Sequence, residues 1–142
     1  MLLLFALFAY SLAGKCESIE GNWTNELGST ALFADFNDGT FIGRYQTKVT
    51  GGVHYCDPNQ IASILSGTYQ DTKDGCLLNF VVQWDMCDQN NNTIFSTTTW
   101  IGKYFSKDKV YFETQWLLLL DTPRQAAWSN MLIGRNTFTR TD

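Results

Sequence analysis

This chain of 142 residues has one histidine, no Cys-x-x-Cys pair and no cluster of lysine and arginine. Each shortage removes a class of function. His54 alone, with no closely spaced cysteines, cannot supply the paired ligands of a zinc site. No Ser/His/Asp or Cys/His arrangement is readable either. Asp35, Asp85 and a solvated loop histidine make poor acid–base groups, so the chain is read as a non-enzyme with no metal and no cofactor. The net charge of −4 is spread thinly, which argues against nucleic acid as a partner. Long apolar runs are missing too. Met1 to Tyr10 is apolar but too short to span a bilayer, and nothing after it is long enough. Small residues follow, with Ser11 and Ala13 at the positions a signal peptidase prefers. Residues 1–13 therefore read as a signal peptide and 14–142 as one secreted, extracellular domain without a membrane partner. Lys15 interrupts what would otherwise be a lipoprotein box at Cys16.

What is present fits secretion. Cys16, Cys56, Cys76 and Cys87 all fall in the mature part, an even number that implies two disulfides with three possible connectivities. Asn22-Trp23-Thr24 and Asn91-Asn92-Thr93 are glycosylation sequons, with Asn91 in the more polar setting. Helical periodicity is almost absent. Strand patterns run instead from Ser18–Thr24 through Ala31–Phe36, Phe41–Thr50, Ile64–Gln70, Leu77–Trp84, Thr93–Phe105, Val110–Leu120 and Asn130–Thr139. Turn signals at Asn37-Asp38-Gly39, Asp71–Gly75 and Lys107-Asp108 separate them. The order predicts an all-β fold, an eight-stranded antiparallel up-and-down barrel, with Gly51–Ala62 as its longest loop.

Five tryptophans stand in polar settings: Trp23, Trp84, Trp100, Trp116 and Trp128. Indoles make rigid apolar walls, and neighbouring hydroxyls and amides supply directional hydrogen bonds, the combination a pocket needs for a small flat ligand with a polar head. Alternation places Tyr45, Thr47 and Val49 on one face. It likewise groups Ser96, Thr98 and Trp100, then Phe112, Thr114, Trp116 and Leu118, then Leu132, Gly134, Asn136 and Phe138. If these are inner faces, the lumen is part aromatic and part hydrogen-bonding. Burying so many polar groups without a partner is costly. Leu77, Val81, Ile101, Leu117, Leu119 and Ile133 fall on the outer face, an apolar patch suited to a subunit interface.

Four segments carry a resemblance. Gly21-Asn22-Trp23-Thr24-Asn25-Glu26-Leu27-Gly28-Ser29, Gly43-Arg44-Tyr45-Gln46-Thr47, Thr114-Gln115-Trp116-Leu117-Leu118 and Gly134-Arg135-Asn136-Thr137-Phe138-Thr139-Arg140 come in order, with Trp128 eight residues before Asn136. Over nearly all of its mature region the chain resembles the avidin and streptavidin family. That resemblance implies a homo-oligomeric barrel, a homotetramer more than a dimer, that binds biotin without chemistry. It assigns Asn25, Ser29 and Tyr45 as donors to the ureido oxygen, and Thr47 and Asn136 as acceptors for the ureido nitrogens. Thr98 would approach the thioether sulfur. Trp84, Trp100 and Trp116 would wall the ring, with Leu27, Val49 and Leu118 filling gaps. Ser96, Gly51 and Gly52 would meet the carboxylate, and Trp128 would reach a neighbouring subunit's pocket. The chain departs from the family where Met86 and Cys87 replace expected carboxylate contacts, and where Tyr104 stands at the family's usual partner position for Cys16. A lipocalin-like carrier of another small apolar ligand is the alternative, since Gly21-x-Trp23 also opens that fold. With the strand order in hand, alternate connections emerge at the same barrel end. Cys16 then pairs with Cys76 and Cys56 with Cys87, because bridged Cα atoms lie within about 7 Å.

Overall fold

The computed structural model describes residues 15–105, 111–121 and 130–141. After a short 3₁₀ turn at Glu17–Ile19 come nine strands: β1 (Gly21–Asn25), β2 (Thr30–Asn37), β3 (Thr40–Gln46), β4 (His54–Tyr55), β5 (Ser63–Asp71), β6 (Gly75–Cys87), β7 (Thr93–Phe105), β8 (Tyr111–Leu120) and β9 (Met131–Arg140). Eight of them pair antiparallel around a closed ring. β5, β3, β2, β1, β9, β8 and β7 follow one another from β6, and β6 pairs with β7 to close it. Closure removes the free strand edges that an open sheet would expose.

The period-2 pattern decides which side chains enter the lumen. Along β6, Cys76, Leu78, Phe80, Val82, Trp84 and Met86 are buried, while Leu77, Asn79, Gln83 and Asp85 are exposed. The end of the barrel that holds the β2–β3 turn is packed solid. Trp23, Phe33, Phe41, Phe80, Phe112 and Phe138 are at most 1% exposed there. Their rings meet edge-to-face or stacked, as in Phe33–Phe80 at 5.3 Å and Phe112–Phe138 at 4.9 Å. Each buried ring contributes roughly 1.5–3 kcal/mol relative to exposure. Trp23 Nε1 donates to the Ile19 carbonyl at 2.7 Å, and the Arg140 guanidinium lies 4.4 Å from the Trp23 ring, closing that end.

The β2–β3 turn follows its sequence. Asp38 and Gly39 have φ of 47° and 80°, the paired positive values of a type I′ hairpin. Two disulfides are present, Cys16–Cys76 with Cα atoms 5.1 Å apart and Cys56–Cys87 at 5.0 Å. They sit at opposite barrel ends, as the strand order requires. The first ties the N-terminal segment under the packed end. The second ties the β3–β5 connection to the last residue of β6.

That connection departs from the sequence pattern. The strand expected to run to Thr50 stops at Gln46. The Thr47 hydroxyl accepts from Val49 N at 3.1 Å and donates to Val49 O at 2.9 Å, a local ring that competes with the ladder. Gly51 and Gly52 then turn with φ of 57° and 89°, and the stretch expected as pure loop holds β4, whose His54 and Tyr55 pair with Cys87 and Met86. On the outer face Leu77, Ile101, Leu117, Leu119 and Ile133 are exposed, with Leu117 opposite Ile133 and Leu119 opposite Met131. No helix among the described residues is long and apolar enough to cross a membrane. The segment expected as a signal peptide, the turn expected at Lys107-Asp108 and Trp128 lie outside the described residues.

Candidate functional site

Above the aromatic floor the lumen widens into a cavity of about 520 Å³ that opens where β1, β3, β6 and β8 end. Its inner layer is built from the β1–β2 loop. Asn25, the last residue of β1, uses its side-chain Oδ1 to accept from Leu27 N at 3.0 Å and Ser29 N at 2.9 Å. Its backbone is held by Asn25 N donating to Ser29 O and Gly28 N donating to Asn25 O. With Oδ1 so engaged the amide is fixed in one sense, and Nδ2 points at Tyr45 Oη, 3.3 Å away. Ser29 Oγ accepts from Lys48 N at 3.0 Å, and its own proton faces the Tyr45 phenol, where it can donate.

Tyr45 is 3% exposed, and burial pushes its phenol up to about 12 from the ordinary 10. The Ser29 hydroxyl and Asn25 amide offset part of that rise, and the Glu26 carboxylate adds to it. Around neutral pH the phenol is therefore a fixed donor. Asn25, Ser29 and Tyr45 together form a cluster of N–H and O–H groups suited to one carbonyl oxygen.

The walls come from β6, β7 and β8. Trp100 stacks on Phe80 at 4.8 Å and lies 4.9 Å from Tyr45, and Trp84 meets Tyr45 edge-to-face at 5.7 Å. Both indole N–H groups are satisfied inside the lumen, Trp84 Nε1 by Thr98 Oγ1 at 2.8 Å and Trp100 Nε1 by Asn136 Oδ1 at 3.1 Å. Trp116 lies flat across β9 because its neighbour is Gly134, where a Cβ would stand 2.3 Å from the indole.

The family model of the avidin family matches residues 13–141. The chain belongs to the avidin family. Avidin of Gallus gallus is 32% identical to it, with 99% of this chain and 89% of that protein covered. Avidin-related protein 4/5 and avidin-related protein 2 of the same organism are 32% and 31% identical over the same shares.

In this avidin-family barrel, fourteen of the sixteen residues expected at the site line the one cavity: Asn25, Leu27, Ser29, Tyr45, Thr47, Val49, Gly51, Trp84, Ser96, Thr98, Trp100, Trp116, Leu118 and Asn136. Gly52 is not among the lining residues, and Trp128 is outside the described ones. Leu132, expected on an inner face, and Met86, expected where a carboxylate contact stands in the family, also line the cavity, whereas sequence reasoning missed Ile94 and Leu120 near the opening. Period 2 could have found them, since each lies two residues from an assigned lumen position. It also missed Glu26. The Glu26 carboxylate takes Asn136 Nδ2 at 3.0 Å and Thr137 N at 2.9 Å, bridging the β1–β2 loop to β9. Nothing local to Glu26 in the sequence signals a partner 110 residues away. His54 is exposed on β4, away from the lining. Among the described residues no group of His, Cys, Asp or Glu is gathered to hold a metal.

Proposed function

We propose that this barrel binds biotin, one molecule per chain, without catalysis. The observation that carries the reading is the prearranged Asn25–Ser29–Tyr45 donor cluster beneath a cavity walled by Trp84, Trp100 and Trp116. Membership of the avidin family supports it. The ureido oxygen accepts from the three donors. Its nitrogens donate to Thr47 Oγ1 and to the lone pair of Asn136 Oδ1 that Trp100 leaves open. Thr98 stands by the sulfur, and Leu27, Val49 and Leu118 close on the ring. Preformed donors in a water-poor site cost nothing to reorganise when the ligand arrives. A lipocalin-like carrier is the poorer fit, because a purely apolar ligand would leave this donor cluster unpaired.

The protein acts as a homo-oligomer, a homotetramer more than a dimer. The outward pairs Leu117/Ile133 and Leu119/Met131 support this, since they would otherwise stay in water. Trp128 closes the cavity of a neighbouring copy. The chain is secreted after cleavage behind Ala13, with its two disulfides suited to the extracellular space and a glycan on Asn91, which is exposed in the β6–β7 loop. Asn22, also exposed, is the second acceptor. Calorimetric titration tests the central reading. One biotin per chain is expected, with desthio and altered-tail analogues losing less than an analogue altered in the ureido ring. Equal binding of ring-altered and tail-altered analogues would sink it.

A further inference from the structure

The barrel turns two apolar faces outward, and the oligomer proposed above accounts for one of them. Trp23, Phe33, Phe41 and Leu65 point into the lumen, so their neighbours on β1, β2, β3 and β5 point out. On that side Leu32, Ile42 and Ile64 are 36%, 50% and 77% exposed. In the ring of strands β3 stands opposite β8 and β5 opposite β9, so this face lies across the barrel from Leu117 and Ile133. One ladder row crosses it: Asn22 pairs with Leu32, Leu32 with Arg44, and Arg44 with Ile64. With neighbouring strands about 4.8 Å apart, Leu32 lies about 5 Å from Asn22 and Ile64 about 14 Å along the sheet. Asn22 opens the sequon Asn22-Trp23-Thr24 and is itself exposed. Its backbone carbonyl accepts from Thr141 N, while its side-chain amide bonds to no described residue. Arg44, exposed in the middle of the row, also has no hydrogen-bond or ion-pair partner among the described residues. Asn91, by contrast, stands in a turn whose backbone is held by the Asp88 carboxylate, in wholly polar company.

Resting on the secretion reading above, we propose that the N-linked glycan on Asn22 lies along this row and is the cover of the second apolar face. The glycan joins the chain in the secretory pathway. Asn22 Nδ2 loses a proton and bonds to C1 of N-acetylglucosamine, displacing the pyrophosphate of a lipid-linked oligosaccharide donor. The sugar chemistry fits the row in order. The C–H face and acetamide methyl of the first ring rest on Leu32, sugar hydroxyls accept from the Arg44 guanidinium, and the chain runs on over Ile64. A protein partner fits less well. It would strip the water from Arg44 without replacing it. A second copy docked by the same face about a two-fold axis would also bring two guanidiniums together. The cover matters for assembly. Two apolar faces on opposite sides of a barrel let copies add one after another without closing. With this face under sugar, association is confined to the Leu117/Ile133 side and stops at a closed oligomer. The two sequons therefore differ in task, since the Asn91 glycan has no apolar row beneath it.

The test uses the full chain secreted from a eukaryotic host. Peptide mapping after N-glycosidase treatment in heavy-oxygen water is expected to mark Asn22 in most molecules. A mark at Asn91 alone overturns the proposal, and a mark at neither overturns the glycoprotein reading beneath it as well. Asn22→Gln should bind about threefold more of an apolar surface dye than the wild type. In light scattering it should form species larger than the wild-type oligomer as concentration rises, whereas Asn91→Gln should do neither. Asn22→Gln that matches the wild type in both measurements overturns the proposal, as does an equal rise in Asn91→Gln. Adding Leu32→Ser and Ile64→Ser to Asn22→Gln should restore wild-type dye binding and size. A raised signal that persists in the triple variant also overturns the proposal, because the uncovered face would then not be its source.

Discussion

At the inner end of the cavity Asn25, Ser29 and Tyr45 are held in place by the barrel's own backbone, through Leu27 N, Ser29 N and Lys48 N, before any ligand arrives. At the outer end the lining is mostly aliphatic, and past Lys48 the β3–β5 connection that carries part of it holds to the barrel by two ladder residues, the Tyr55–Ser63 hydrogen bond and one disulfide. The inner layer is paired, rigid and polar; the mouth is apolar and attached at few points. The difference teaches where affinity and release should reside. Directional bonds fixed in advance set how tightly the head is gripped, whereas the connection over the mouth sets how quickly the ligand escapes.

The largest effects that could break this contrast come from the disulfides. Loop-closure entropy gives each about 4 kcal/mol, since the bridged residues are 60 and 31 positions apart. Replacing either pair by serine should therefore lower stability by a similar amount, and stability does not separate the two ends. Ligand release does. Removing Cys56–Cys87 should speed dissociation several-fold, because β4 and the Thr47–Val53 turn lose their anchor. Removing Cys16–Cys76, beneath the aromatic floor, should leave dissociation unchanged. Stopped-flow dissociation on the two variants decides the matter, and equal acceleration in both would remove the distinction between floor and mouth.

Next in size are the head donors. Deleting one partner of a buried neutral hydrogen bond costs about 1–3 kcal/mol, or roughly 5- to 150-fold in affinity. Asn25→Ala, Ser29→Ala and Tyr45→Phe should each fall in that range, with combined losses smaller than their sum because they serve one oxygen. Glu26→Ala should cost less, about threefold, since it meets the site indirectly by orienting the Asn136 amide and holding Thr137 N, and Glu26→Gln should recover most of the loss. Leu120→Ala at the mouth should stay within a few-fold. Calorimetry on this set sharpens the comparison, and a mouth variant weaker than all three head variants would reverse it.

Most of the fold was legible in the sequence because period-2 alternation and turn chemistry are local properties. Asn37-Asp38-Gly39 announces its hairpin, and the buried series on β6 to β9 follows from counting by two. The exceptions have physical causes. Thr47 has a side chain able to satisfy the backbone of Val49, so an apparently continuous strand ends at Gln46. β4 exists because a disulfide and two ladder residues hold a glycine-bearing segment against β6, which composition alone does not reveal. The donor cluster was readable only through its family resemblance, whereas Glu26 was invisible. Its role depends on the closure of β1 onto β9, a contact between the two ends of the chain.

The smallest effect concerns pH and isolates the inner layer. Burial raises the Tyr45 phenol to about 12, so the folded protein keeps this proton where the unfolded chain, near 10, has lost it. The stabilisation is fully present below pH 10 and is lost as pH rises from 10 through 12, with an upper size of roughly 2–3 kcal/mol. Tyr55, half-buried and bonded to Ser63, is raised for the same reason and contributes in the same direction. Biotin affinity should be flat from neutral to pH 10, since the phenol remains a donor, and should fall only as the phenol ionises. Urea midpoints measured from pH 8 to 12 should decline less in Tyr45→Phe than in the wild type, leaving the share due to Tyr55. Parallel decline in the two proteins would place the alkaline sensitivity at the mouth, where Tyr55 sits, and not in the buried donor layer.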